Sequence, residues 1–491
     1  MRFPLMGKVV AVGLVVALLA AVLARISSLV DERSARQEEA VRSVQQSLAG
    51  AQTLLGPLLR RQCVEEWDSV TGEGREQHAV VERREFALQA VPALLNVDST
   101  LKAEARYRGL FKVNGYTGHL SLQAEWPAQL LPAPVREHGG SRMSCLAPVV
   151  MLALGDVRGV RQASVQLDGQ RAEVLPGTGH ASYSQGLHVE LPVRADLPVP
   201  ADQLRSTPLR ARIELDLVGT ARLALVPAAG TMQWQLKSDW AHPSFGGRFL
   251  PVAREVRADG FDARWSVSSL ASAAAADVLQ GRPVCASTRA GGRAAAYAEA
   301  DDDAAPVASG GRCLDTLDVA FIDPVNPYVL SDRATKYGML FIALTFVALG
   351  LAEVLGRDRV RRVHPVQYGL VGLALSLFFL LLLSLSEHLP FIWAYAVASA
   401  ACVALLGAYA AHMLGRRRDG AVFAAGMGLL YGLVYVLLQR EQTALVIGSV
   451  GLFGAVAAVM WLTRRMDWYR LFEEARPPER QQARQTPAAR D

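Results

Sequence analysis

Two kinds of hydrophobic pattern divide this chain: unbroken apolar runs at its ends and period-two alternation in its middle. The first run spans Val9 to Ala24. Five more lie at about 338–356, 366–385, 389–411, 421–438 and 443–463, each near the ~20 residues that a helix needs to cross a hydrocarbon core. The first run is shorter, and the Val-Leu-Ala before Arg25 also fits a signal-peptidase site. After it, Val41, Val44, Leu48, Ala51, Leu55 and Leu58 recur in steps of three and four. That spacing predicts an amphipathic helix over 31–62 whose apolar seam packs on the body of a domain. A short coiled coil is the alternative.

Alternation takes over beyond residue 63. "GLHVELPV" sets Leu187, Val189, Leu191 and Val193 against His188 and Glu190, and "IELDLVG" sets Ile213, Leu215 and Leu217 against Glu214 and Asp216. "YRGLFKV" and "HLSLQAEW" read as a hairpin, with Gly115 and Thr117–Gly118 as its turn. Strands recur to about residue 323, which predicts a mostly antiparallel β-domain built as a β-sandwich. From Ala271 to Gly311 the composition shifts to Ala, Gly, Asp and Arg, which buries little apolar surface and predicts a flexible insertion.

Charge turns these runs into a topology. Arg357, Arg359, Arg361 and Arg362 follow the second run, and Arg416, Arg417 and Arg418 follow the fourth. Arg464, Arg465 and Arg470 follow the sixth. The alternate loops are nearly free of basic residues, and Arg2 and Lys8 precede the first run. Six spans therefore place every arginine cluster, and both termini, in the cytoplasm. The fold class expected is an α+β membrane protein. A transmembrane anchor (1–30) and the amphipathic helix (31–62) precede an external β-domain (63–336). A five-helix bundle (337–463) and a disordered basic tail (464–491) complete it.

Composition agrees with this division. The chain has 491 residues, a 51% hydrophobic share and a net charge of +5, with a mean hydropathy of +0.19. The basicity is accounted for by membrane orientation, and no nucleic-acid motif is present.

Candidate chemistry is sparse. Cys63, Cys145, Cys285 and Cys313 lie in the external domain, and Cys402 lies in a membrane run. A Cys285–Cys313 bridge would close the insertion and leave Cys63 with Cys145. Two other pairings and free thiols stay open. No zinc-ligand spacing accompanies them. Asp301, Asp302 and Asp303 form an acidic run without calcium-loop spacing, read as solvated. No nucleophile elbow or Ser-x-x-Lys motif appears. Glu353, Glu387, His388 and His412 sit at run ends and read as interfacial, which disfavours proton-coupled transport. Trp393, Tyr395, Tyr431, Tyr435 and Trp461 read as a mixture of interface anchors and packing aromatics. "HPSFGGRFLP" offers Gly246, Gly247 and Arg248 as a phosphate cradle, but without the strand–GxxxxGK[ST]–helix context that such a loop requires. It is read as a turn with positive φ at the glycines, flanked by Phe245 and Phe249, with an anionic ligand on Arg248 as the lesser alternative.

Several stretches taken in order resemble the CreD family of bacterial inner-membrane proteins. They are "GAQTLLGPLL", "RYRGLFKVNGYTGHL", "HPSFGGRFLP" with "GFDARWSVSSLA", "FIDPVNPYVLSDRATKYGMLFIALTF", "HPVQYGLVGLALSLFFLLLLSLSEH" and "YGLVYVLLQREQTALVIGSVGLFGAVAAVMWLTRRMDWY". "LLRRQC" at 58–63 departs from the more apolar continuation expected of the family. The resemblance implies a retained anchor, a large periplasmic domain, a role in envelope integrity and regulation by a two-component system. It implies no catalytic residues and no cofactor. The function expected is non-catalytic contact between the β-domain and periplasmic or cell-wall components, with the lipid bilayer as the other partner. A sensor, a transporter or lipid-handling channel, and an extracytoplasmic hydrolase are the alternatives.

Overall fold

The computed structural model describes residues 5–71, 78–128, 131–191, 208–283, 313–323, 326–355, 363–440 and 444–464. Two compact units emerge. One combines residues 1–35 with 325–491, and the other holds residues 36–324. A single helix, α1 (Leu5–Ser47), belongs to both.

The second unit is built from strands. In chain order they are β1 (Gln52–Thr71), β2 (His78–Ala90), β3 (Leu94–Arg108), β4 (Phe111–Trp126), β5 (Arg142–Cys145) and β6 (Val149–Leu154). Then come β7 (Val160–Leu167), β8 (Gln170–Ala172), β9 (Leu175–Pro176), β10 (Gly186–Glu190), β11 (Leu209–Thr220) and β12 (Arg222–Leu225). The last are β13 (Thr231–Ser238), β14 (Pro243–Gly247), β15 (Ala253–Arg257), β16 (Gly260–Ser268) and β17 (Leu317–Phe321), with a short helix α2 (Ala274–Leu279) after β16. One sheet runs β14-β17-β12-β1-β6-β10-β9, with β2 and β5 also paired to β1. The other runs β15-β16-β13-β3-β4-β11-β7-β8. Both are mixed, because β1 lies parallel to β12 and β13 lies parallel to β3.

The alternating residues explain the core. Leu187, Val189, Ile213, Leu215 and Leu217 are buried in one cluster that draws on both sheets. Trp234 and Trp265 stack at its centre with ring centroids 4.5 Å apart. Their indole N–H groups donate to Ser99 Oγ (3.0 Å) and to the Phe249 carbonyl (3.1 Å), so no polar atom of either ring is stranded.

Three sequence expectations are corrected here. The helix ends at Ser47, and Leu55 and Leu58 belong to strand β1, not to a helical seam. Apolar residues on both faces of a central strand mimic a helical period, and Gly56–Pro57 inside the run is the signal against a helix. The β3–β4 hairpin turns at Gly109–Leu110, where Gly109 has φ +60°; Gly115 and Gly118 lie within β4. A Cβ at Gly118 would sit 2.3 Å from the Leu101 side chain across the pair, so the glycine makes room for that side chain. The 271–311 insertion is folded at its start: Ala274 and Val278 of α2 are buried, in a small second cluster with Leu55, Leu58 and Tyr183. Residues 284–312, including Cys285 and Asp301–Asp303, lie outside the described residues.

The other unit holds α3 (Pro327–Lys336), α4 (Gly338–Leu355), α5 (Pro365–Ser386), α6 (Phe391–Leu414), α7 (Arg417–Gln439) and α8 (Ala444–Thr463). Helix α3, expected within the β-domain, is grouped with the membrane helices. Asn326 caps it by accepting from the Tyr328 amide (3.0 Å), with Pro327 at the first helical position. Among the described residues five helices (α1, α5, α6, α7 and α8) are long and apolar enough to cross a membrane, and α3 with α4, bent by 42°, makes a sixth when counted as one span. Tyr395 and Tyr431 are buried in the helix core, whereas Trp393 and Trp461 are exposed.

Candidate functional site

The glycine-rich turn is held by its own domain. Gly246 faces Asp318 across the β14–β17 pair, where a Cβ would lie 2.4 Å from the carboxylate. Gly247 alone has positive φ, at +81°, and a Cβ there would fall 2.1 Å from the Thr316 carbonyl. Asp318 pairs with Arg222 at 3.1 Å, and burial pushes its carboxyl above the usual range despite that cation. The Arg248 amide donates to Thr316 O (2.9 Å), and its guanidinium lies 3.5 Å from Asp315, which also accepts from Ser272 Oγ. Phe245 meets Phe261 and Trp265 edge-on at 5.5 and 5.8 Å. Phe249 packs against the same core. The arrangement is an anchored turn. Gly247→Ala is expected to destabilise the full-length protein by about 2 kcal/mol through backbone strain and the carbonyl clash. Equal denaturation midpoints for variant and wild type would contradict this.

A second cluster clamps residues 131–145 onto the β1–β2 hairpin. Cys63 and Cys145 are cross-strand partners joined by a disulfide. Two residues on, the buried Glu65 carboxylate accepts from Ser141 Oγ (2.6 Å) and from the Glu137 and His138 amides (3.0 and 3.1 Å). Arg84 lies 3.3 Å from its other oxygen and also pairs with Glu137. Trp67 stacks on His138 at 3.8 Å. The Ser141 hydrogen bond, helped by the His138 amide and the Arg84 charge, outweighs burial and holds the Glu65 carboxyl below its ordinary value. A depressed carboxyl contributes stability that is present above its unfolded pKa and is lost as pH falls through the folded value. Glu65→Gln is therefore expected to lower the melting temperature at pH 7 and to flatten its decline toward pH 4. A variant as acid-sensitive as wild type would rule that assignment out.

In the membrane unit the ionisable groups pair at two levels. Lys8 Nζ meets both oxygens of Glu353 at 2.6 Å, and Glu353 also accepts from Tyr368 OH and the Val363 amide, each at 3.3 Å. Arg33 lies 3.6 Å from Glu387, at the far end of α5. Lys8 and Arg33 are about 38 Å apart along α1 at 1.5 Å per residue, enough to bracket a hydrocarbon core of about 30 Å. His388 is exposed, and His412 Nδ1 meets the carbonyl of Ala408, one helical turn back, at 3.1 Å. Arg416 to Arg418 open α7, and Arg464 lies over the Trp461 ring. Arg357, Arg359, Arg361, Arg362 and Arg465 lie outside the described residues. Sequence reasoning placed Glu353 and Glu387 at interfaces, but their partners, hundreds of residues away, gave no local signal.

Among the described residues no three His, Cys, Asp or Glu side chains come together as a metal site would require. Helices α5 and α6 border an apolar groove of about 600 Å³, lined by residues such as Leu377, Phe378, Ala398 and Cys402.

A family model described as inner membrane protein CreD matches residues 4–469. The inner membrane protein CreD of Escherichia coli (strain K12) is 32% identical over 471 residues, covering 96% of this chain and 95% of that one. Among solved structures, an M1 zinc metallopeptidase from Deinococcus radiodurans aligns at 12% identity over 36% of this chain and 38% of its own, with a TM-score of 0.19. A likeness that slight says nothing about chemistry here.

Proposed function

Starting from the fact that this chain belongs to the CreD family, a multi-pass inner-membrane protein with a periplasmic domain, we propose that it supports envelope integrity by non-catalytic contact between its β-domain and envelope components. The observation that carries the reading is the division of labour. Among the described residues, Lys8 near the start of α1 pairs with Glu353 near the end of α4, and Arg33 pairs with Glu387 just past α5, while residues 36–324 form a separate, strand-built unit. Ion-coupled transporters concentrate such groups at midplane instead. Two sheets feeding one core fit a sandwich. Both termini are read as cytoplasmic, with Lys8 and Arg416 to Arg418 on that side. Cys285 and Cys313 are proposed as a second bridge. Control by a two-component system belongs to the same reading.

The test is deletion and overproduction of the full-length protein in its host. Altered permeability and altered sensitivity to wall-directed antibiotics are expected. Unchanged values under both conditions would defeat the proposal.

One observation favours a sensor as the second reading. Helix α1 runs unbroken to Ser47, and its end is tied to the β-domain. Arg158 donates to the Gln45 and Gln46 carbonyls, Asp156 accepts from the Gly50 amide, and Thr220 Oγ1 donates to Ala49 O. Cross-linking from the residues after Thr463 to a cytoplasmic partner would favour it.

A further inference from the structure

Among the described residues, no carboxylate meets the half-buried guanidinium of Arg60 on the first sheet. Arg60 leaves β1 on the same face as Leu58, where Tyr183, Ala274 and Val278 also pack. Its Nη2 donates to Gln62 Oε1 at 2.6 Å, and a Cβ on Gly179 would lie 3.3 Å from Nη1, so the turn at 178–183 passes close over the cation. Its Nε is buried and has no acceptor. The Gln89 Oε1 atom, on the residue directly opposite Arg60 in the β1–β2 register, is buried and has no donor.

His180 decides how that amide must point. Its Nδ1 accepts from the Ser182 and Tyr183 amides, at 3.0 and 3.3 Å, so the neutral ring carries its proton on Nε2. Burial, and then the Arg60 charge, hold the His180 pKa below its ordinary value and so favour that neutral ring. The Nε2 atom faces the Gln89 amide at 3.3 Å, where an N–H needs an oxygen. Amide oxygen and nitrogen are assigned by such partners. Turned so that Oε1 meets His180, Gln89 aims its NH₂ group into the buried position beside Arg60. Two cross-strand partners, with Cβ atoms about 5 Å apart, then both present donors without acceptors. A neutral acceptor would satisfy the hydrogen bonds and leave the half-buried charge without a counter-ion.

We propose that Arg60 and Gln89 form an oxyanion site, in which a carboxylate or phosphate group of an envelope component accepts from Arg60 Nε and the Gln89 amide. The inference rests on the envelope-contact reading above and gives the ligand's chemistry. Thr178 and Tyr183 hold the turn that carries His180: the His180 amide donates to Thr178 Oγ1 at 3.1 Å, Thr178 Oγ1 donates to Tyr183 O, and the His180 and Tyr183 rings stack at 4.5 Å. His180 therefore serves as a positioning residue and as a reporter of the charge on Arg60.

The experiment follows the His180 ring by NMR in detergent-solubilised full-length protein with ¹³C-labelled histidine, the resonance being assigned with His180→Gln. Inorganic phosphate and acetate are titrated separately at constant ionic strength. A bound anion offsets Arg60, so the His180 pKa is expected to rise saturably. Arg60→Met is expected to raise it without anion and to weaken the anion response at least about tenfold. Gln89→Leu, which leaves the guanidinium in place, is expected to weaken binding as well and covers the case in which Arg60→Met fails to fold. Tighter binding of phosphate points to a lipid-type headgroup, and tighter binding of acetate points to a peptide-type carboxylate. No response to either anion, or an equal response in Arg60→Met and Gln89→Leu, overturns the site; a buried water alone would give that result. Envelope phenotypes without anion binding would remove this site only, and anion binding without phenotypes would remove only the broader reading.

Discussion

Replacing Cys63 and Cys145 together by serine is expected to lower the melting temperature of the solubilised protein by on the order of 10 °C. The bridge closes a loop with a sequence separation of 82 residues. Losing such a constraint on the unfolded chain costs about 2–5 kcal/mol, and a domain of this size loses roughly 2–4 °C per kcal/mol. The effect also has a native-state side. Residues 142–145 reach β1 through only four register pairs, Cys63↔Cys145 to Glu66↔Arg142. Without the sulfur link, those pairs, the Trp67–His138 stack and the hydrogen bonds from Ser141, Glu137 and His138 to Glu65 are left to hold that segment. Reductant should lower the wild-type midpoint by at least this shift, and any further fall in the double variant would come from the proposed Cys285–Cys313 bridge. A variant melting with wild type under oxidising conditions would show that the segment is held without the bridge.

Lys8→Met is expected to cost about 3 kcal/mol, because removing one partner leaves the other charge poorly solvated. Glu353 would keep Tyr368 OH and the Val363 amide as donors but lose its only described cation. The double variant Lys8→Met/Glu353→Gln removes the stranded charge and is expected to recover most of the loss, so a double-mutant cycle isolates the pair. Additive losses around the cycle would mean that the two residues do not act together. The result bears on topology, since it requires the start of α1 and the end of α4 to share one side of the membrane.

The membrane helices were readable because burial in lipid needs only local composition. The run expected at 366–385 is α5, Pro365–Ser386, and that at 389–411 is α6, Phe391–Leu414. Strands with one buried face were equally plain: Ile213, Leu215 and Leu217 alternate with Glu214 and Asp216 and are buried as expected. Strand β1 was misread because Leu54, Leu55, Leu58 and Leu59 are buried on both faces, which erases the period of two. The hairpin turn was misplaced because a glycine that admits a neighbouring side chain, Gly118 under Leu101, looks in sequence like one that bends the chain.

The chain alone thus determined the order of membrane and β-rich segments and the alternation of basic and neutral loops, since each depends on residues close in sequence. The tertiary structure decided what the charges do. Glu65 is ordinary in its own strand, and only a segment more than seventy residues away, brought back beside Cys63, supplies its donors. Arg60 becomes a candidate ligand contact only because Gln89 and His180 come to it from another strand and a distant turn. Glu353 finds Lys8 across 345 positions. A side chain's charge is written in the sequence, but its solvation and its partners exist only once distant segments meet.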